Sequence, residues 1–267
     1  MSLQSRRGLC AFVKLGLAWP ATVVLPQAHP GRMILVLSHM RSASTALCNV
    51  LASHPDVSGY GETHVCHGDK FAPGRVLVNI ARRRAFQPKS PFILDKILHN
   101  HLDDFSPETT SNARAIFLVR KPAPSVRSIY NLSQRSDLPE ISSLQDAGRY
   151  YLDRIQRLES LWHRFPANHR IGLTSESLLR DPEQTLIGIG QWIGLSRSLD
   201  NTYASHPAST KGGGGDPIYS GRARKIEARS SEAVELESDL SLSIADELCC
   251  QHRRLVGHFQ DNQTQHG

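Results

Sequence analysis

From Arg32 onward the chain is punctuated by short, unbroken apolar runs that end in small or polar residues. Met33-Ile34-Leu35-Val36-Leu37, Phe92-Ile93-Leu94, Ala115-Ile116-Phe117-Leu118-Val119 and Ile171-Gly172-Leu173 have the length and continuous hydrophobicity of strands buried on both faces. Segments of helical period lie between them. Thr45 to Leu51 is closed by His54-Pro55, Ser125 to Leu132 and the long amphipathic Leu144 to Arg164 follow, and Asp181-Pro182-Glu183 opens another helix. In that opening Asp can cap free N–H groups, and proline is tolerated in a first turn. Strands alternating with helices predict an α/β domain, a central parallel β-sheet flanked by helices in three layers, with ligands bound at the carboxyl ends of the strands.

The pattern divides 267 residues into an N-terminal extension over 1–31, one domain over 32–229 and a helical tail over 230–267. Residues 8–28 are apolar, preceded by Ser5-Arg6-Arg7 and interrupted by Lys14 and Pro20. A charge at bilayer depth costs a few kcal/mol, so a packed or interfacial helix ranks ahead of a signal anchor, which stays open. Five cysteines form no disulfide framework, which favours a reducing, cytoplasmic setting, with membrane association through the N-terminal segment left open. Lys and Arg exceed Asp and Glu by 31 to 25, and the net charge of +6 suits an anionic nucleotide, a nucleic acid or an anionic membrane without choosing among them. The run Arg82-Arg83-Arg84 reads as a solvated helix face.

Two loops carry anion-binding chemistry. Ser38-His39-Met40-Arg41-Ser42-Ala43-Ser44-Thr45 joins the first strand to a helix, so backbone N–H groups, hydroxyls and the Arg41 cation can converge on one phosphate or sulfate. It lacks the Gly-Lys-Ser/Thr ending of a Walker A loop. The third strand ends in Arg120-Lys121-Pro122, with Ser128 eight residues after Arg120, and a following helix can return that hydroxyl beside the guanidinium. Two anion sites at neighbouring strand ends fit one nucleotide bearing two phosphates.

Taken together, the two loops resemble the sulfotransferase family, over roughly residues 32–225. The resemblance implies a P-loop-like fold and the donor 3′-phosphoadenosine 5′-phosphosulfate (PAPS), with the nucleotide PAP as product. It implies that Arg41, Ser42, Ala43, Ser44, Thr45 and Ala46 hold the 5′-phosphosulfate, and that Arg120 and Ser128 hold the 3′-phosphate. Lys211 and Gly212 stand where the family has a late loop that folds over that phosphate. The text from Arg41-Ser42 through His54-Pro55-Asp56-Val57 to Gly61-Glu62-Thr63 is most similar to tyrosylprotein sulfotransferases and their bacterial relatives. Glu62 lies 21 residues after Arg41, the spacing of the base in that branch, and Lys96 matches a strand-end lysine that contacts the transferring group. The resemblance thus implies Glu62, Lys96 and Arg41 as catalytic. Ala43 replaces the family's glycine and is strained if the loop takes positive φ there. His64 replaces an arginine of the tyrosylprotein branch.

His54, His64, Cys66 and His67 match no usual zinc spacing, and no metal is expected. The acceptor is expected to be a hydroxyl on a small molecule, glycan, lipid or peptide, approached through residues 63–90 and 133–150, with no nucleic-acid partner. Two alternatives remain at this level: a P-loop-like ATP-dependent kinase, and a non-catalytic nucleotide-binding module at a membrane.

Overall fold

The computed structural model describes residues 18–135, 140–207, 224–228 and 242–264 of the chain. Five strands, β1 (Met33–Ser38), β2 (Val57–Ser58), β3 (Phe92–Ile97), β4 (Arg114–Val119) and β5 (Arg170–Thr174), form one sheet in the order β2-β3-β1-β4-β5. Every pairing is parallel, with Leu35 opposite both Asp95 of β3 and Ala115 of β4. The four apolar runs are thus strands, and the three-layer α/β expectation holds.

Alternation along the strands divides the core between two faces. Met33, Leu35 and Leu37 of β1, with Phe117 and Val119 of β4, face helices α5 (Pro122–Ser133) and α6 (Leu144–Trp162), which contribute Val126, Ile129, Tyr151, Ile155 and Leu158. Ile34, Val36, Ile116 and Leu118 face the opposite layer of α2 (Ser44–Ser53), α7 (Ser175–Arg180) and α8 (Pro182–Ile193), through Leu47, Leu51, Leu178 and Ile189. The start of α6 is fixed by a capping box in which Ser143 and Asp146 satisfy each other's backbone N–H groups, a device worth about 1 kcal/mol. Helix α8 begins at Asp181-Pro182 as its sequence predicts, with the Asp181 carboxylate accepting from the Gln184 N–H at 3.1 Å.

The C-terminal helix α9 (Leu242–Thr264), read from sequence as part of a tail, contributes Leu248, Leu255 and Phe259 to the first core layer. Glu159 of α6 binds Arg254 and Gln251 of α9, which anchors the two helices to each other. Within residues 63–90, expected to approach the acceptor, lies helix α3 (Ala72–Arg82), and a short helix α4 (Pro107–Asn112) precedes β4. The helical residues 18–24, labelled α1, pack on α3 where Gly74 leaves room for Ala18 and Thr22, while Trp19, Val23 and Val24 are exposed. No helix among the described residues is long and apolar enough to cross a membrane.

Gly172 in β5 is the position most sensitive to α9 docking, because a Cβ there would overlap the Phe259 ring. Gly172→Ala is expected to lower the unfolding free energy by about 1–3 kcal/mol in a chemical denaturation series. An unchanged midpoint would mean that α9 is not seated on the sheet.

Candidate active site

The strand order creates the crevice. From β1 the chain moves to β3 and β2 on one side and later to β4 and β5 on the other, so the order reverses between β1 and β4. At such a switch point the loops after the two strands part and leave space outside their carboxyl ends. Here those loops are the two segments whose sequences are expected to bind anions.

After β1, Arg41 and Ala43 both adopt left-handed backbone, each at φ 66°. Ala43 is the N-cap of α2 and offers no side-chain acceptor, so the first-turn N–H groups of a ten-residue helix carry no side-chain cap at the mouth of the crevice. The strain expected of alanine at this glycine position is therefore present. Ser42 departs from expectation, because its hydroxyl turns inward to Ser38 Oγ at 2.5 Å, with its carbonyl held by Ser175 Oγ at 2.6 Å. Ser44 is buried at the helix start, whereas Thr45 and Ala46 are half-buried.

After β4, the Arg120 backbone N–H donates to His39 Nε2 at 3.0 Å, and Arg120 Nη1 donates to the Arg41 carbonyl at 3.3 Å. Arg41 Nε donates to Ser128 Oγ at 2.9 Å, so Ser128, expected beside Arg120, binds the guanidinium of the other loop. The two anion segments are in direct contact. His39 is their tie. Its Nδ1 donates to the Met40 carbonyl at 2.7 Å, leaving Nε2 as acceptor, and the ring is neutral because burial, reinforced by the charges of His252, Arg154 and Arg120, pushes its pKa down to about 3. Tyr151 completes the joint by donating to the Arg120 carbonyl at 2.6 Å.

On the other flank of β1, the Lys96 ammonium at the end of β3 bridges Glu62 Oε1 and Thr45 Oγ1, each at 3.0 Å. Lys96 is 2 % exposed and Glu62 7 %, so this chain of a carboxylate, an ammonium and a hydroxyl is largely shielded from solvent beside the α2 N-terminus. Cys48 lies buried in the same layer with its thiol pushed up to about 12, chiefly by burial, and is no nucleophile at neutral pH. His64 is exposed, with Nδ1 4.0 Å from Glu62 Oε2.

Beneath the crevice, Arg154 of α6 is buried and joins the ends of two strands, donating to the Ser38 carbonyl at 2.8 Å and the Ile97 carbonyl at 3.0 Å. Asp103 neutralises it and also binds Arg157 Nε at 2.8 Å. Neither His39 nor Arg154 is singled out by the sequence reading. A lone arginine in the stripe Tyr151, Ile155, Leu158 is the signal that marks Arg154, since a charge at a core-facing position must be paired.

Other candidates disperse. Lys211 and Gly212 lie outside the described residues. His54 Nε2 meets the Arg197 carbonyl at 3.2 Å, His67 pairs with Asp95, and Cys66 is exposed, so the histidine-cysteine group does not converge. Among the described residues, Glu159, His163 and His258 do gather, but the Glu159 carboxylate is already committed to Arg254.

Residues 81–199 match the model of the Sulfotransferase family. The match includes Lys96, Arg120 and Ser128 and stops short of the β1 loop and Glu62. Among solved structures, the sulfotransferase domain of the Synechococcus PCC 7002 olefin synthase is similar at 18% identity, covering 83% of this chain and 94% of that chain with a TM-score of 0.58. The sulfotransferase domain of the curacin biosynthetic pathway is similar at 14% identity, over 86% of this chain and 98% of that one, with a TM-score of 0.50. Mouse sulfotransferase SULT7A1 complexed with PAP is similar at 12% identity, over 93% of this chain and 91% of that one, with a TM-score of 0.50. No curated protein matches by sequence. The likenesses establish the sulfotransferase fold, and with the family match they are consistent with a PAPS-dependent sulfotransferase family.

Two outcomes follow from the loop geometry. Ala43→Gly should raise stability by about 0.5–1 kcal/mol by relieving the left-handed backbone, measured as a higher melting temperature, whereas a lower one would remove the strain from the account. For His39, whose folded pKa is depressed from 6.5 to about 3, protonation favours the unfolded chain, so stability is lost as pH falls through that window. Melting between pH 7 and 4 should fall more steeply for the native chain than for His39→Gln, by about 1.4 kcal/mol per pH unit below 6.5. Parallel pH curves would contradict the neutral tie.

Proposed function

We propose that the chain transfers the sulfo group of PAPS to a hydroxyl acceptor and releases PAP, with Glu62, Lys96 and Arg41 at the reacting atoms. The observation that carries this reading is the contact between the two segments, Arg120 against the Arg41 carbonyl and Arg41 against Ser128, which supports a single nucleotide reaching both. The family match over 81–199 supports sulfo transfer in general. The Lys96 bridge between Glu62 and Thr45 supports the finer assignment.

In this reading the 5′-phosphosulfate lies on the α2 N-terminus, against the first-turn N–H groups and Thr45, and the 3′-phosphate lies by Arg120 and Ser128. Arg41 stands between the two sites. The acceptor oxygen attacks sulfur in line as its bond to the bridging oxygen of the donor breaks. Glu62 takes the hydroxyl proton, and Lys96, 3.0 Å from it, stabilises the charge that develops on the leaving phosphate oxygen. The chemistry needs charge stabilisation and positioning, which a shielded lysine and an uncapped helix terminus supply. A kinase reading gains nothing here, since the β1 loop has no lysine at its end.

Incubation with ³⁵S-labelled PAPS and a panel of phenolic, glycan, lipid and tyrosyl-peptide hydroxyls should yield a labelled product and PAP. Glu62→Gln should then lower kcat by about 10²–10⁴-fold, with PAP affinity preserved. Near-native turnover in that variant would remove Glu62 from the reaction.

A further inference from the structure

We infer that Asp95 and His67 are positioning residues for Glu62, holding its segment on the end of β3 so that the carboxylate faces the acceptor hydroxyl. The inference rests on the reading of Glu62 as the base. Asp95 and Lys96 are consecutive in β3 and point to opposite faces of the sheet. Lys96 reaches Thr45 and the Glu62 carboxylate in the α2 layer. Asp95, 1 % exposed, faces the other way. Its Oδ1 accepts the Thr63 backbone N–H at 2.9 Å, and its Oδ2 meets His67 Nε2 at 2.8 Å.

Both neighbours of Glu62 are therefore tied to one dipeptide of the strand. Gly61 offers its carbonyl to the Lys96 backbone N–H at 3.2 Å, and Thr63 gives its N–H to the Asp95 side chain. The segment needs such ties, because its backbone is left-handed at Gly61 (φ 116°) and again at His64 (φ 54°), and a loop bent twice within four residues does not hold its shape unaided. Asn79 of α3 adds a third tie, donating to the Thr63 carbonyl at 3.0 Å.

His67 makes the Asp95 clamp directional. The ring is fully buried, and its own backbone is held by the Leu102 carbonyl at 3.1 Å and the Ser106 N–H at 3.3 Å. Phe105 packs against it with ring centroids 5.3 Å apart. The buried Nδ1 has no hydrogen-bond partner, so the ring carries its proton on Nε2, pointed at Asp95. His67 thus occupies one carboxylate oxygen and leaves the other aimed at Thr63. This arrangement is a His–Asp pair used to orient a backbone.

The test is a double-mutant cycle on kcat, with PAP binding measured for every variant. Asp95→Ala should lower kcat on the order of 100-fold, the loss expected of about 1 Å of misplacement, and leave PAP affinity unchanged. In a Glu62→Gln background the same change should cost almost nothing, because its effect runs through Glu62. Asp95→Asn keeps an acceptor for Thr63 and should recover most of the lost kcat. Equal losses in both backgrounds, or a parallel loss of PAP affinity, would overturn the inference. Should Asp95→Ala fail to fold, His67→Ala serves in its place, with a smaller kcat loss that must also vanish in the Glu62→Gln background. If Glu62→Gln alone turns over normally, the reading of the base fails and this inference falls with it. If Glu62→Gln is inactive and Asp95→Ala is native-like, only the positioning role is lost.

Discussion

The parallel pairing of β1 with β4 is the constraint on which the rest of the site depends. It sets Ser38 opposite Leu118 at the carboxyl end of the sheet, so the loops that follow must leave from adjacent points at the place where the strand order reverses. Beside the guanidinium contacts of Arg41 and Arg120, three ties at the joint are uncharged: Ser38 Oγ on the Leu118 carbonyl, the Arg120 N–H on a neutral His39, and Ser175 Oγ on both Ser42 and Val119. Neutral ties suit this place. A buried imidazole that stays unprotonated fixes the distance between the two loops without adding charge to the joint.

Charge is kept for two other places. At the mouth stand Arg41, Arg120 and Lys96, whose cations can meet phosphate or sulfate oxygens. Below the crevice, the Arg154–Asp103 pair is fully buried and spans the ends of β1 and β3. Burying such a pair returns little net stability once desolvation is counted, and breaking it is costly. Its value is geometric, since one guanidinium fixes the spacing of the strand ends from which the β1 loop and Lys96 arise. The Asp95–His67 clamp applies the same logic on the same side of the sheet, to the segment that carries Glu62.

Much of this was legible in the sequence because the central strands are buried on both faces and so read as uninterrupted apolar runs. The loop after β1, the arginine after β4 and the serine a helical turn pair beyond it were legible because strand-loop-helix order dictates where those side chains go. The short elements were not. β2 has two residues, α4 has the polar sequence Pro-Glu-Thr-Thr-Ser-Asn, and α3 hides its Val76, Leu77 and Ile80 face behind Pro73 and Gly74 in its first turn. Sequence likewise gives Ser42 a hydroxyl without saying that it turns inward, and gives no sign that Arg41 donates to Ser128. The supporting residues His39, Asp95, His67 and Arg154 act through partners 28 to 116 positions away, and no local pattern announces such distances.

Whether one adenine nucleotide bridges the two loops is decided by a crystal structure of the chain with PAP. The 5′-phosphate should lie on the N–H groups that open α2, and the 3′-phosphate within hydrogen-bond reach of Arg120 and Ser128. A nucleotide lodged elsewhere, or one that touches a single loop, would contradict it.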